Sequence, residues 1–274
     1  MRSIKNNDTP TVLTIAGSDP YGGAGIQIDC KTIHALDAYA FSVITALTAQ
    51  NSTGVNAVIP ISPAIVKTQL VTLLDDVKVD AVKIGMLANA ELIAVVAEVI
   101  DKYALKNIVL DTVLLSSSGK LLLEKEAWDL MVAELFPRVD LITPNLPEIN
   151  TFLNTSYRGN EHEILEIASR FFNKGVKAIL IKGGHSLDQK EATDHLVSRS
   201  LKINTFTTPR VETTHTHGTG CLLSSAIAAH LAKGEDMKSS VAFAKDFLYK
   251  KLQTSSNMNF KYIDPNVTRK EPIL

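Results

Sequence analysis

The sequence has few of the residues that disulfide scaffolds, zinc sites and nucleic-acid interfaces require. Cys30 and Cys221 are its only cysteines, too few for a disulfide framework and without the CxxC spacing of a zinc ligand pair. A formal net charge of -1 gives no electrostatic reason to expect binding to nucleic acid or to an anionic membrane. These absences favour a protein that acts on a small molecule.

Long apolar runs are missing as well. Residues 1–10 are polar and lack the apolar core of a signal peptide, and no later run reaches the roughly 18 uninterrupted apolar residues of a membrane span. Hydrophobic residues still make up 45% of the 274 residues, which is enough to bury a sizeable core. We therefore expect a soluble cytoplasmic protein.

Short apolar runs alternate along the chain with segments of helical periodicity. Residues 12–15, 108–110 and 179–181 have the length and β-branched content of buried strands. Between such runs lie segments such as residues 92–99, in which apolar residues recur at helical spacing. This alternation predicts an α/β protein with a mostly parallel sheet covered by helices.

Other local signals refine this prediction. Ser62 before Pro63 is typical of a helix start. Residues 191–197 and 201–208 predict two antiparallel strands at one edge of the sheet. No linker, low-complexity tract or repeat interrupts the pattern, so we expect a single domain over residues 1–274, with residues 1–10 and 255–274 as peripheral tails.

A glycine-rich turn precedes a helix rich in alanine and leucine near the end of the chain. It is formed by Gly218, Thr219, Gly220 and Cys221. Glycines here let backbone N–H groups converge ahead of the helix, where they would bind phosphate oxygens or a developing negative charge. Because a thiol in the first helical turn has its thiolate stabilised by the helix dipole, Cys221 is a candidate general base.

Three other interpretations of this turn stay open. The glycines could simply turn the chain into a helix. Cys221 could be a hydrolase nucleophile with His215 or His217 as its partner, although no orienting Asn or Asp accompanies them. The two histidines, two residues apart, could also bind a metal ion, but they are an incomplete zinc ligand set.

A second glycine-rich loop, residues 17–25, follows the first predicted strand and opens the first helix. It has neither the Gly-Lys-Ser/Thr of a Walker motif nor the glycine spacing of a dinucleotide-binding loop. Such a loop still lets a ligand approach the backbone closely. Asp29, one helical turn past Gly25, is either a hydrogen-bond acceptor for that ligand or a solvated helix residue.

Six ordered motifs give the chain a specific resemblance over nearly its whole length. It resembles the hydroxymethylpyrimidine and phosphomethylpyrimidine kinases of thiamine biosynthesis, which belong to the ribokinase-like superfamily. The motifs are residues 16–20 with 22–27, residues 42–47 running to 49–51, residues 83–87, residues 143–145 with Glu148, residues 182–185 and residues 218–221.

The resemblance implies a three-layer ribokinase-like fold, in which helices flank a mostly parallel central sheet with antiparallel edge strands. It implies ATP-dependent phosphorylation of 4-amino-5-hydroxymethyl-2-methylpyrimidine and of its monophosphate. It also implies a homodimer with small-molecule partners and neither nucleic acid nor membrane. Two alternatives are a pyridoxal or pyridoxine kinase of the same superfamily and a pyrimidine-binding sensor without turnover.

The same resemblance implies roles for individual residues. Asp29 and Gln50 offer the acceptor and donor pattern that an aminopyrimidine edge requires. Lys182 meets a phosphate, and Asp111 and Glu148 bind Mg²⁺ directly or through water. Catalysis is implied for Gly218, Thr219, Gly220, Cys221 and Lys182, pyrimidine binding for Gly17, Ala24, Asp29, Gln50, Met86 and Val113, and binding of ATP and Mg²⁺ for Asp111, Asn145 and Glu148.

One segment departs from the family pattern. The chain has Thr112, Leu114 and Ser117 where members usually carry proline, methionine and lysine. The first two changes alter the packing near Val113, and the third removes a positive charge. We therefore expect any difference in substrate contacts to lie in this segment.

Overall fold

The structure is a computed structural model that describes residues 9–114, 122–184, 190–213, 216–254 and 260. Within these residues, nine strands form one sheet in the order β3-β2-β1-β4-β5-β6-β7-β8-β9. The strands are β1 Thr11–Ser18, β2 Tyr39–Asn51, β3 Gly54–Pro60, β4 Ala81–Ile84, β5 Ile108–Leu110, β6 Leu141–Ile142, β7 Ala178–Ile181, β8 Glu191–Ser198 and β9 Ile203–Pro209.

Six neighbouring strands run parallel, in the order β2, β1, β4, β5, β6 and β7, and antiparallel strands lie at both edges. At one edge β3 pairs antiparallel with β2, and at the other β8 and β9 form the two strands expected from residues 191–208. The predicted mostly parallel sheet with antiparallel edge strands is therefore confirmed.

The helices lie between the strands, as the apolar periodicity predicts. The helix after Ser62 begins at Pro63, as expected from a proline in the first turn. The helices are α1 Gly25–Ala35, α2 Pro63–Leu74, α3 Ala90–Tyr103, α4 Trp128–Leu130, α5 Leu146–Leu153, α6 Glu161–Phe172, α7 Thr219–Ala232 and α8 Met237–Gln253. None of the described helices has the length and apolar character needed to cross a bilayer.

Alternating strand residues bury both faces of the sheet and produce three layers. Leu13 and Ile15 of β1 pack in one hydrophobic core, whereas Val12, which precedes Leu13, packs in the other. Residues of α2, α3, α5 and α6 contribute to the first core, and residues of α1, α7 and α8 to the second. Because both faces are covered, functional groups concentrate at the ends of the strands.

The carboxyl ends of the parallel strands all lie at the same end of the sheet, which we call its carboxyl edge. Met86 follows β4, Asp111 follows β5, Asn145 follows β6 and Lys182 follows β7. In an open parallel sheet this edge is where ligands bind. It is also the edge at which the predicted site residues converge.

Candidate active site

A cavity of about 730 Å³ lies at the carboxyl edge of the sheet. It brings together residues that are more than 200 positions apart in the chain, and all but one of the predicted site residues line it. Those that line it are Gly17, Ala24, Gln50, Met86, Asp111, Val113, Asn145, Glu148, Lys182, Gly218, Thr219, Gly220 and Cys221.

The strand order gives this single cavity two ends, which we call lobes. Gly17, Gln50 and Met86, on or after β1, β2 and β4, line the first lobe, where an alanine Cβ at position 17 would lie 3.3 Å from the Met86 methyl carbon. The second lobe lies beside β8, β9 and α8, and it is lined by Thr208 and Leu248, among others. Between the lobes lie the ends of β5, β6 and β7 and the beginning of α7.

The two glycine-rich loops contact each other through their backbones. Gly218 has φ of +80°, and a Cβ there would lie 1.7 Å from the carbonyl oxygen of Gly23. Gly25 has φ of +55°, and a Cβ there would lie 2.2 Å from the carbonyl oxygen of Gly17. Both glycines therefore permit close approach of one loop to another segment of backbone, in addition to any ligand.

Asp19, a residue the sequence reasoning missed, holds the first of these loops. Its buried carboxylate accepts backbone hydrogen bonds from Tyr21, Gly23 and Ala24 at 2.8 to 2.9 Å. Although burial raises the pKa of Asp19, hydrogen bonds from His217, Gln50 and the backbone lower it overall. The available signal was the Asp-Pro dipeptide, which is typical of a turn.

His217 lies between the two loops. Its Nε2 atom is 3.4 Å from Oδ2 of Asp19 and 3.5 Å from Nε2 of Gln50. No group of three or more His, Cys, Asp or Glu side chains within the described residues is arranged to hold a metal ion, and His215 lies outside those residues. The metal site considered for the two histidines therefore rests on a residue that the structure does not describe.

Cys221 lies in the first turn of α7 and is half-buried against the cavity. Burial raises the pKa of its thiol to about 11, although the charge of Lys83 and a backbone hydrogen bond from Gly25 act in the opposite direction. Burial is the largest of these influences, so the pKa shift runs against the expected thiolate, and the general-base role of Cys221 stays a prediction.

Lys182 and Asp111 form an ion pair in front of α7. Lys182 Nζ lies 3.2 Å from Oδ1 of Asp111, which also accepts a hydrogen bond from Thr143 at 3.1 Å. Burial raises the pKa of Asp111, but the charges of Lys182 and Lys83 lower it further, so the carboxylate is ionised. Because the pair lines the cavity, its cation faces the region between the lobes.

Asn145 and Glu148 form a capping box at the beginning of α5. The Asn145 side chain accepts from the Glu148 amide at 2.9 Å, and Glu148 Oε2 accepts from the Asn145 amide at 2.8 Å. Burial raises the pKa of Glu148 to about 7, with the charge of Asp111 adding to this and that of Lys182 opposing it. At neutral pH, Glu148 is therefore close to half-ionised beside the ionised Asp111.

These two carboxylates fit a divalent cation. Mg²⁺ takes oxygen ligands, usually one or two carboxylates together with phosphate oxygens and water. Asp111 and Glu148 supply two buried carboxylates at the cavity, and a bound cation would favour the ionised form of Glu148, whose pKa is raised by burial. The donor set therefore agrees with the predicted magnesium residues.

Asp29 is the predicted site residue that the structure places elsewhere. Its carboxylate is fully buried beneath the cavity, and Lys83 Nζ lies 2.9 Å from Oδ1 and 2.8 Å from Oδ2. Thr14 donates to Oδ2 at 2.6 Å, and Ser225 donates to Oδ1 at 2.7 Å. Three donors thus make four hydrogen bonds to a carboxylate that does not line the cavity, so the structure gives no support to the predicted contact of Asp29 with the pyrimidine.

The sequence and the fold are similar to those of known proteins. The sequence model described as phosphomethylpyrimidine kinase matches residues 19–266. The chain belongs to the phosphomethylpyrimidine kinase family. It is 47% identical over 236 residues to the hydroxymethylpyrimidine/phosphomethylpyrimidine kinase of Escherichia coli K12, an alignment that covers 86% of this chain and 88% of that protein.

Solved structures agree with this family and with the predicted ribokinase-like fold. The phosphomethylpyrimidine kinase of Clostridium difficile 630 is similar with a TM-score of 0.77 and 37% identity, covering 88% of this chain and 98% of that one. An ADP complex of Bacillus subtilis pyridoxal kinase is similar with a TM-score of 0.84 and 31% identity, covering 92% and 95% of the two chains.

Two of the three departures from the family pattern can be located in the structure. Thr112, in place of the usual proline, is fully buried, and its hydroxyl donates to Glu148 Oε2 at 3.1 Å. Leu114, in place of methionine, packs in the first hydrophobic core. Ser117 lies outside the described residues. The Thr112 departure therefore adds a hydrogen bond to a candidate magnesium residue.

Proposed function

We propose that this protein transfers the γ-phosphoryl group of ATP to 4-amino-5-hydroxymethyl-2-methylpyrimidine and to its monophosphate. The observation that carries the proposal is the position of the beginning of α7. Its glycine turn lies between the two lobes, where the Lys182–Asp111 pair also faces the cavity. The backbone N–H groups of a helix start, next to a cation, suit a phosphoryl group in transfer.

Each lobe then takes one substrate. We assign the pyrimidine to the lobe of Gly17, Ala24, Gln50, Met86 and Val113, because an amide and a thioether suit a small polar ring. The nucleotide occupies the lobe beside β8, β9 and α8, which also contains apolar side chains. The hydroxymethyl oxygen and the γ-phosphate would then meet in front of Gly218 and Gly220.

In the proposed reaction, the hydroxymethyl oxygen forms a bond to the γ-phosphorus while the bond from this phosphorus to the β,γ-bridging oxygen breaks. ADP leaves with that electron pair, and the hydroxyl proton moves to the transferred phosphoryl group. The turn from Gly218 to Cys221 stabilises the charge on the equatorial oxygens, and Lys182 neutralises the phosphates. In such loose transition states, positioning and charge neutralisation carry most of the catalysis.

Asp111 and Glu148 would hold Mg²⁺ directly or through water, and Asn145 would keep Glu148 oriented through the capping box. The bound ion would supply positive charge to the phosphate oxygens. Cys221 has a different role from the one expected. A thiol whose pKa is raised to about 11 retains its own proton at neutral pH, so we assign it to the shape of the turn and not to proton transfer.

The test is formation of ADP by the purified protein with Mg²⁺, ATP and one of three acceptors: the hydroxymethylpyrimidine, its monophosphate or pyridoxal. We expect turnover with both pyrimidines. Gly220→Ala should lower kcat/KM strongly with unchanged melting temperature, because its Cβ would lie 3.3 Å from Asp111 Oδ2 and 3.4 Å from Lys182 Nζ. Pyrimidine binding without ADP formation would instead indicate a sensor.

Pyridoxal is the second candidate substrate, and the observation that favours it is the similarity to Bacillus subtilis pyridoxal kinase. Phosphorylation of pyridoxal alone would assign this activity in place of pyrimidine phosphorylation. The higher sequence identity to pyrimidine kinases is the reason that we place it second.

We also propose that two copies associate through the edge formed by β2 and β3. Leu47 and Ile59 are cross-strand neighbours on this edge, with exposed fractions of 47% and 62%. Exposed apolar pairs on an edge strand favour association. Light scattering should give twice the mass of one chain for the wild type and the mass of one chain for Ile59→Lys. A monomeric wild type would contradict this assembly.

A further inference from the structure

The Asp29 carboxylate joins the two helices that begin in the glycine-rich loops. Asp29 lies four residues after Gly25 in α1, and Ser225, which donates to it at 2.7 Å, lies four residues after Cys221 in α7. Each partner is therefore about one helical turn below its own loop. The Asp29 carboxylate thus links the two helices at positions about one turn past their loops.

The remaining donors fix this carboxylate to the sheet. Thr14 of β1 donates at 2.6 Å, and Lys83 of β4 reaches both carboxylate oxygens at 2.8 and 2.9 Å. The Lys83 and Asp29 side chains are both fully buried. Four elements, α1, α7, β1 and β4, therefore meet at one group.

A buried ion pair is a poor way to stabilise a fold. Its desolvation penalty is large enough that well-packed apolar replacements are often as stable or more stable. Here the pair lies directly beneath the loops, and the backbone of Gly218 contacts that of Gly23 above it. The location and the convergence of four elements favour a geometric function over a general contribution to stability.

We propose that Asp29, held by Lys83, is a positioning residue that fixes the separation of the two glycine-rich loops and thereby the placement of the two substrates. This inference rests on the proposed phosphoryl transfer, for which α7 holds the transferred group and the loop from Gly17 to Gly25 borders the acceptor. Asp29 touches neither substrate and acts through the positions of α1 and α7.

The test uses Ser225→Ala, because replacing Asp29 or Lys83 would leave a buried charge and risks unfolding. Ser240→Ala is the matched control, since Ser240 is a fully buried helical serine whose hydroxyl has no hydrogen-bond partner among the described residues. Amide hydrogen exchange would be followed in peptides covering residues 17–29 and 216–225. This measurement does not depend on activity, so it remains informative if the substrate assignment fails.

We expect Ser225→Ala to accelerate exchange in both loops by about tenfold relative to the wild type and to Ser240→Ala. In the kinase assay, kcat should fall by about tenfold while KM for ATP and for the pyrimidine stays within about twofold, because misplacement affects the transition state more than binding. Faster exchange in the α7 loop alone, or unchanged kcat in a folded Ser225→Ala variant, would overturn the proposal.

Discussion

Two Asp–Lys pairs lie near the carboxyl edge of the sheet and differ in what surrounds them. The Lys83–Asp29 pair is fully buried, and the four hydrogen bonds to its carboxylate come from three protein donors, Lys83, Thr14 and Ser225. The Lys182–Asp111 pair is longer, at 3.2 Å, and its lysine side chain is 14% exposed towards the cavity. The closed pair has no exposed surface for a ligand, whereas the open pair faces the cavity, as the proposed contact of Lys182 with a phosphate requires.

The largest expected effect breaks the closed pair. Lys83→Met should lower the free energy of unfolding by about 3–5 kcal/mol, because it leaves the Asp29 carboxylate buried without a counter-charge. The double variant Asp29→Asn with Lys83→Met should recover much of this loss, since no buried charge remains. Urea unfolding measures both variants. A loss below about 1 kcal/mol for the single variant would show that water compensates the carboxylate.

The second prediction concerns the carboxyl group of Glu148, which lies beside the open pair. Because the folded-state pKa of Glu148 is raised from 4.5 to about 7, the folded protein binds more protons than the unfolded chain between these values. Its stability relative to Glu148→Gln should therefore fall by up to about 3 kcal/mol as pH rises through this window. Urea unfolding at several pH values, without Mg²⁺, measures it.

Glu163 provides the control for this pH dependence. It closes the capping box of α6 with Asn160, but it is exposed, and backbone hydrogen bonds lower its pKa in spite of slight burial. Glu163→Gln should therefore remove stability that is present at neutral pH and lost in acid, the opposite sign. Equal signs for the two variants would contradict the electrostatic difference between the sites.

The third prediction tests the open pair itself. Lys182→Met should lower kcat/KM for ATP about 100-fold, equivalent to about 2.7 kcal/mol, because a phosphate loses its counter-charge. The free energy of unfolding should change less than for Lys83→Met, since Asp111 still faces the cavity and Thr143. Lys177→Met, which removes an exposed ion pair with Asp140, is the control and should leave both quantities unchanged. Equal kinetic losses for the two variants would reject the role of Lys182.

The smallest effect is expected at Cys221, which lies between the two pairs. Cys221→Ala should reduce kcat by less than tenfold, or about 1.4 kcal/mol, because a protonated thiol contributes packing but no proton transfer. Cys30→Ala, on α1 and not lining the cavity, is the control. A loss of 1,000-fold, about 4 kcal/mol, would restore the general-base role.

The sequence predicted the fold and most of the cavity because both depend on local patterns. The alternation of apolar strands and helices determines the sheet, and parallel strands necessarily bring residues such as Asp111 and Lys182 to one edge. The glycine spacing likewise indicated a site at Gly218 and Gly220. These signals are contained within about ten residues of the chain.

Asp29 and Cys221 required information from distant segments. Periodicity assigns Asp29 to a helix but does not show that Lys83, 54 positions later, lies against it. For Cys221, the helix start was visible in the sequence, whereas the burial that raises the thiol pKa depends on how α7 packs. Asp19 was missed for a similar reason, since three of its donors lie within five residues but its burial depends on the other loop.

The last described helix, α8, has a consequence for synthesis of the protein. Lys245 and Leu248 on this helix line the lobe assigned to the nucleotide, and Lys245 lies 2.7 Å from Asp194 of β8. On the ribosome, α1 to α7 are synthesised before the residues of α8 that line this lobe. A nascent chain that has not yet produced α8 should therefore retain ATP poorly, so nucleotide binding would report that this helix has docked.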